Sequence, residues 1–282
     1  MPRTNHKAMQ GQVAVVTGGS RGIGRGVALA LGDAGATVYV TGRTVRTGES
    51  ALPGTIDETA ALVTERGGTG VALQCDHGDD DQVRSAIERV VQERGRIDVL
   101  VNNAFALPRE EDLLFGTPFW EQPLHFWDTM HRVGLRSHYV ASVLVAPVMV
   151  KQRLGLIANI SSFGGGGFAV NVAYGVGKAG VDRLAADMAH DLKPHGVAVV
   201  SLWPGIVRTE RILAYGDACP FDMSSTESPE FTGRAIAALA TDPERLQKTG
   251  RRLIVAELAQ SYGFTDIDGT QPASLRSRPR SG

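Results

Sequence analysis

A phenol and an ammonium able to share a proton stand four residues apart in this chain, at Tyr174 and Lys178, and a hydroxyl at Ser162 precedes the phenol by twelve. At a spacing of four, two side chains share one face of a helix, so the cation can stabilise a phenolate. An unperturbed tyrosine titrates near ~10; bringing it to about 7 takes roughly 4 kcal/mol of preferential stabilisation of the anion. Neighbouring positive charge supplies that. A tyrosine so tuned gives or takes a proton at a reacting oxygen near neutral pH. Taken singly, Tyr174 reads as a core aromatic and Lys178 as a surface lysine, and the pair gains meaning only beside a second element.

That element is the turn Thr17-Gly18-Gly19-Ser20-Arg21-Gly22-Ile23-Gly24. Val13–Thr17 before it reads as a strand and Val27–Leu31 after it as helix, the context that separates a dinucleotide-binding turn from an ordinary glycine-rich bend. Glycines let backbone amides approach a pyrophosphate at the helix N-terminus. Gly18, Gly22 and Gly24 are the phosphate-side residues of this reading, with Ser20, Arg21 and Ile23 between them. The second strand ends Val38-Tyr-Val-Thr-Gly-Arg43, with arginine where an NAD-binding chain usually carries an acid for the ribose 2′-hydroxyl. Arg43, helped by Arg21 from the other side, attracts a 2′-phosphate at roughly 1.5–3 kcal/mol per charge-assisted hydrogen bond. The cofactor expected is therefore NADP(H). Asp76, after the third strand, is a candidate for the adenine amino group or, equally, a cap for the next helix.

Positioning these groups falls to valine-rich runs that alternate with helical patterns along the whole chain, the signature of βαβ units around a buried parallel sheet. Strands are predicted at Val13–Thr17, Thr37–Thr41, Val71–Cys75, Val99–Asn102, Leu156–Ile160, Val197–Leu202 and Leu253–Val255. Helices are predicted at Ile23–Ala34, Ile56–Arg66, Asp80–Arg94, Phe126–Lys151, Ala173–His190 and Glu230–Leu239. The unbroken alternation predicts one α/β domain, residues 11–268, with a doubly wound seven-stranded parallel sheet. Residues 1–10 are expected to be an N-terminal extension and 269–282 a flexible tail. Two stretches break the rhythm, Phe105–His125 and Glu210–Ser228. Both follow carboxyl ends of strands, where such sheets bind ligands.

The 282 residues are 43% hydrophobic and 21% charged with a net charge of −1, which offers no attraction to a phosphate backbone or an anionic membrane. Cys75 and Cys219 read as reduced thiols, and no signal-like or 18-residue apolar run is present, so a cytoplasmic chain with no membrane or nucleic-acid partner is expected. The seven histidines form no metal-like cluster, and no metal is expected. No nucleophile elbow precedes a triad, and Gly164–Gly167 reads as a wall or turn beside the catalytic groups.

Several motifs in order, the glycine turn, Asn102-Asn103-Ala104, Ser162, Tyr174 with Lys178, and Pro204-Gly205 with Thr209, resemble those of the short-chain dehydrogenases/reductases, in their single-domain branch. The match runs from about Gly11 to Val255, and Trp120, Val133–Arg136 and Ser201–Val207 carry a narrower likeness to one animal subgroup. The resemblance implies a Rossmann fold and hydride transfer between a nicotinamide and a ketone, aldehyde or alcohol carbon. It implies Tyr174 as general acid or base, Lys178 as its tuner and a ligand of the nicotinamide ribose, and Ser162, in preference to Ser161, as donor to the substrate oxygen. Asn103 and Ala104 would lie by the adenosine side, and Pro204, Gly205, Ile206 and Thr209 by the carboxamide. A homodimer or homotetramer is also implied. Two departures stand out. Gly134 takes the place where many relatives carry an asparagine that helps hold a water on the proton path, and the glycine pair common after the last strand is missing around Ala256-Glu257. A redox-neutral epimerase or dehydratase and a non-catalytic NADP(H) sensor remain as alternatives.

Overall fold

Runs such as Val13-Ala-Val-Val-Thr17 cannot bury both their backbone and their branched side chains except in a sheet covered on both faces. The structure, a computed structural model, describes residues 7–108, 115–274 and 276. In it β1 (Val13–Thr17), β2 (Thr37–Gly42), β3 (Thr69–Gln74), β4 (Val99–Asn102), β5 (Gly155–Ile160), β6 (Val197–Trp203) and a late strand, Arg252–Ile254, form one sheet. Every pairing is parallel, in the order β3-β2-β1-β4-β5-β6 and then the late strand. This is the doubly wound, seven-stranded α/β fold expected.

Alternation along the strands sends neighbouring side chains to opposite faces. Ala14, Val16, Val38, Val40, Val101 and Ala158 join one core with α1 (Gly22–Asp33) and α2 (Ile56–Glu65). Val15, Tyr39, Leu100, Ile157 and Val199 join the other with α3 (Asp80–Arg94) and later helices. Met9, assigned from sequence to an extension, is fully buried in the first core and donates its amide to Ala34 O at 2.8 Å. Residues 1–6 of that extension and, beyond 274, all but residue 276 of the tail lie outside the described residues.

The helix predicted over Phe126–Lys151 is interrupted. α4 (His125–His131) passes through a π-helical turn, Arg132–Arg136, into α5 (Ser137–Gln152). A single turn of this kind inside an α-helix is frequent at functional sites, and Gly134 is at its centre. Next come α6 (Val172–Leu192), the short strand β7 (Ile206–Val207), α7 (Glu210–Ala214), β8 (Thr226–Glu227) paired with β7, and α8 (Pro229–Thr241). β9 is the late strand Arg252–Ile254, and Val255, read from sequence as its end, instead opens α9 (Val255–Tyr262). Caps explain the starts: Thr55 and Glu58 make a reciprocal capping box on α2, Asp79 caps α3, and Ser228 with Pro229 begins α8.

The helical stretch His125–Gln152 has the length and apolarity of a membrane span, with a mean hydropathy of 1.4 over its most apolar window. Ala141, Val145 and Met149 nonetheless pack into the second core, while Tyr139 and Val143 stay exposed on the opposite side. One face therefore belongs to the core and the other is uncovered.

Two buried histidines set the acid limit of this fold. Burial pulls His77 down to about 4 and His138 down to about 3, against ~6.5 in an unfolded chain. Between those values the unfolded chain binds more protons than the folded one, so stability is intact above about pH 6.5 and falls as pH is lowered, by up to about 1.4 kcal/mol per unit per histidine. Urea midpoints should fall from pH 6.5 to 5, and His77→Gln should flatten that fall. Midpoints constant across this interval would contradict it.

Candidate active site

Sheet order places β1 next to β4, and the chains leaving these two strands build helices on opposite faces, which opens a crevice at their carboxyl ends. A cleft of ≈ 300 Å³ lies there, lined by the glycine turn, by Arg43 and Asp76, and by Ala104, Phe105 and Thr209 among others. Of the residues expected around a cofactor, Gly18, Ser20, Arg21, Gly22, Ile23, Arg43, Asp76, Asn103, Ala104 and Thr209 line it.

The start of α1 has no side-chain cap of its own, which leaves its amides seeking an acceptor. The Gly22 amide finds one 188 positions away and donates to Glu210 Oε2 at 2.7 Å. A carboxylate oxygen therefore sits at this helix N-terminus, standing in for an anionic oxygen of the kind a pyrophosphate presents. The turn fits such a group. Gly18 and Gly22 adopt positive φ of 67° and 56°, conformations that disfavour a side chain. Gly24 does not line the cleft; a β-carbon there would lie 2.3 Å from Gly18 O, so its role is to pack α1 against the turn.

Charge at the far end of the cleft is arranged differently from the expectation. The Arg21 guanidinium donates to Pro53 O and Gly54 O, both at 2.9 Å, and so fastens the loop after β2. Arg43 is 68% exposed and faces Asp76 at 3.9 Å. Asp76 is not a helix cap, because Asp79 takes that task; Asp76 instead accepts the Gly78 amide at 2.8 Å. The Asn103 side chain spends its amide on Thr17 O and Gly18 O, at 2.8 and 3.0 Å, and so stitches β4 to the turn rather than reaching toward a ligand.

Pro204, Gly205 and Ile206 do not line the cleft. Gly205 allows close approach of Glu227, whose Oε2 a β-carbon would meet at 2.8 Å, and Ile206 pairs with Thr226 across β7 and β8. Thr209 does line it and also caps α7, accepting the Ile212 amide at 3.3 Å.

Ser162, Tyr174 and Lys178 come together at the ends of β5 and α6. The Tyr174 hydroxyl donates to Ser162 Oγ at 2.9 Å, and Ser162 Oγ also accepts the Gly164 amide at 2.9 Å. Ser162 accepts in both bonds, which leaves its own proton for a third oxygen. Ser161 faces away and donates to Lys178 O at 3.1 Å. The glycines at 164 to 166 form a close wall: β-carbons there would meet Tyr174 Cε1 at 2.8 Å, Asp182 Oδ2 at 2.7 Å and Trp203 Cη2 at 2.6 Å. Nearby Val170 is held at a φ of 60°, strained for a β-branched residue.

Lys178 is buried and donates to Ile160 O at 3.0 Å. Burial lowers its pKa to about 8, with Asp182, one helical turn on, opposing the shift. Asp182, which sequence reasoning missed, is held by Ser201 and Trp203 at 2.5 and 3.0 Å. For Tyr174 the sequence expectation of a lowered pKa is not met by Lys178 alone: burial pushes the phenol above its ordinary value, opposed by the Ser162 hydrogen bond. Among the described residues no cluster of His, Cys, Asp and Glu is arranged to hold a metal ion.

Comparison with known proteins agrees with this geometry. The family model described as short chain dehydrogenase matches residues 12–216. The chain is 48% identical to Dehydrogenase/reductase SDR family member 1 of Mus musculus over 273 residues, 93% of this chain and 85% of that protein. Among solved structures it is similar to a short-chain type dehydrogenase/reductase from Mycobacterium marinum, at 27% identity and a TM-score of 0.75, over 89% of this chain and 96% of the other. A metagenomic short-chain oxidoreductase in complex with NADP is 31% identical with a TM-score of 0.68, over 84% and 94% of the two chains. The chain thus belongs to the short-chain dehydrogenase/reductase family of oxidoreductases, in the subgroup of its member 1 type.

Proposed function

We propose that this protein is an NADP(H)-dependent oxidoreductase that interconverts a ketone or aldehyde and an alcohol, with Tyr174 as general acid and base. The observation that carries the reading is the hydrogen bond from the Tyr174 hydroxyl to Ser162 Oγ at 2.9 Å, beside a buried Lys178. The cofactor would be held by the glycine turn at its pyrophosphate, by the exposed Arg43 at a 2′-phosphate, with Arg21 fastening the adjoining loop, and by Lys178 at the nicotinamide ribose. When bound, it supplies or takes up the hydride.

The chain's own groups handle the oxygen and its proton. Ser162 donates its remaining proton to the carbonyl oxygen and polarises it, as an oxyanion-hole donor does. Tyr174 then gives its proton to that oxygen as negative charge develops, or removes it in the reverse direction. Lys178 favours the resulting phenolate. Asp182 opposes the loss of charge that burial of Lys178 favours. The neighbour bound to NADP supports the cofactor reading. Binding of a pyrophosphate at α1 requires Glu210 to leave the Gly22 amide, which couples cofactor entry to α7 and the segment after it.

Exposed Tyr139 and Val143 on α5, with Val172 and Val176 on the adjoining α6, support a homodimer or homotetramer built on these helices; a cytoplasmic location is proposed with it.

Assays of NADPH oxidation against aldehydes, ketones, quinones and steroids test the reading, with alcohol formed in stoichiometric amount as the expected result. Tyr174→Phe should lower turnover by about a hundredfold or more while leaving NADPH affinity nearly unchanged; half the original turnover would refute the assignment. Arg43→Asp should weaken NADPH binding at least about tenfold, and equal affinity of the unaltered protein for NADH and NADPH would remove its basis. Glu210→Gln should tighten NADPH binding by about threefold to tenfold, the scale of a carboxylate at a helix N-terminus. Weaker binding in that variant would show that Glu210 helps the cofactor instead of competing with it.

A further inference from the structure

Gly134 is buried at the centre of its π-helical turn. A β-carbon there would lie 2.5 Å from Cδ2 and 2.7 Å from Cε2 of Phe105, so the ring fills the volume that any side chain at this position would enter. The same ring has the Lys178 ammonium 5.0 Å from its centroid and meets the Tyr174 ring edge-on at 5.9 Å and 89°. Phe105 also lines the cleft, so it stands where the cofactor crevice adjoins the catalytic pair.

Lys178 is 8% exposed and receives one backbone acceptor, Ile160 O. Its charge is therefore poorly solvated. An aromatic face is the apolar surface that stabilises a cation while excluding water. Leucine or methionine in the same place would exclude water without that attraction.

We propose that Phe105, lodged against Gly134, is a positioning residue for the Tyr174 and Lys178 pair: its ring face holds the ammonium beside Tyr174 and closes off access to it from the α4–α5 side. This rests on the acid–base role of Tyr174 proposed above. Gly134 and Phe105 are then a matched pair, with the ring in the space that an asparagine at position 134 would need. An asparagine at 134 cannot be restored while the ring is present, because overpacking displaces one or the other.

The direct test is a titration of tyrosinate absorbance with NADP⁺ bound, taking the difference between the protein and its Tyr174→Phe variant. Phe105→Leu retains the apolar volume but removes the ring face. A less stabilised ammonium favours the phenolate less, so the Tyr174 midpoint should rise by about one pH unit. The pH profile of kcat should move with it while KM stays fixed. Phe105→Tyr keeps the ring and should leave the midpoint in place. If Phe105→Leu does not fold, Phe105→Met gives the same comparison. Superimposable titrations for the unaltered and Leu or Met proteins would overturn the proposal. Full activity of Tyr174→Phe would instead overturn the acid–base reading on which it rests. The pairing has its own test: Gly134→Asn should lower thermal stability, and adding Phe105→Gly should restore at least half of the loss. Additive losses in the double variant would contradict the match.

Discussion

β1 and β4 are neighbours in the sheet, yet their chains depart to opposite faces, and every group in the cleft depends on how that divergence is held. Hydrogen bonds hold it. Thr17 Oγ1 accepts the amides of Asn103 and Ala104 at 2.9 and 3.0 Å, and the Asn103 side chain returns to Thr17 O and Gly18 O. Backbone groups at the two strand ends are thereby satisfied by one short side chain from each strand, Thr17 and Asn103, reaching across the gap. Gly18 makes the approach possible, since a β-carbon would lie 2.9 Å from Ala104 Cα. From this junction one branch runs into the glycine turn and α1, the other to Phe105.

Deeper along β4 and β5 the same economy recurs. Asn102 Nδ2 donates to Asn159 Oδ1 at 2.9 Å and to Ser142 Oγ at 3.0 Å, tying two strands to α5 in a buried polar network. Such a network specifies position when its members find partners. It fixes α5, hence the π turn and Gly134, relative to β5, which carries Ser162 at its end. Lys178 is dry because these elements close around it. Burial of each group lowers the pKa of Lys178 and raises that of Tyr174. The site therefore trades solvation for directed contacts from Ile160, Asp182, Ser162 and the Phe105 ring.

Much of this was legible in the sequence because it rests on local pattern. Seven strand positions agree with the structure to within about two residues, since buried parallel strands write themselves as valine-rich runs. The spacing of Tyr174 and Lys178 and the glycine turn were legible for the same reason. Contacts between distant segments were not. Nothing local announces that Glu210 will cap α1, that Asn103 will be spent on the turn, or that Asp76 will yield the cap to Asp79. The π turn broke a periodicity that read as continuous helix. Gly134 shows in the sequence as a missing asparagine, but its partner Phe105 shows only as the start of an irregular stretch, because a compensating pair reveals itself only when both members are seen in contact. Asp182, four residues after Lys178, carried a signal that the helical spacing could have revealed.

In the proposed reaction hydride passes to a carbonyl carbon in this cleft while Tyr174 supplies the proton. Turnover of a carbonyl substrate with NADPH deuterated at one or the other face of C4 measures the hydride transfer directly by mass spectrometry of the product. The expected product is an alcohol carrying deuterium on the carbinol carbon from one label only. Product formed without deuterium from either label would contradict it.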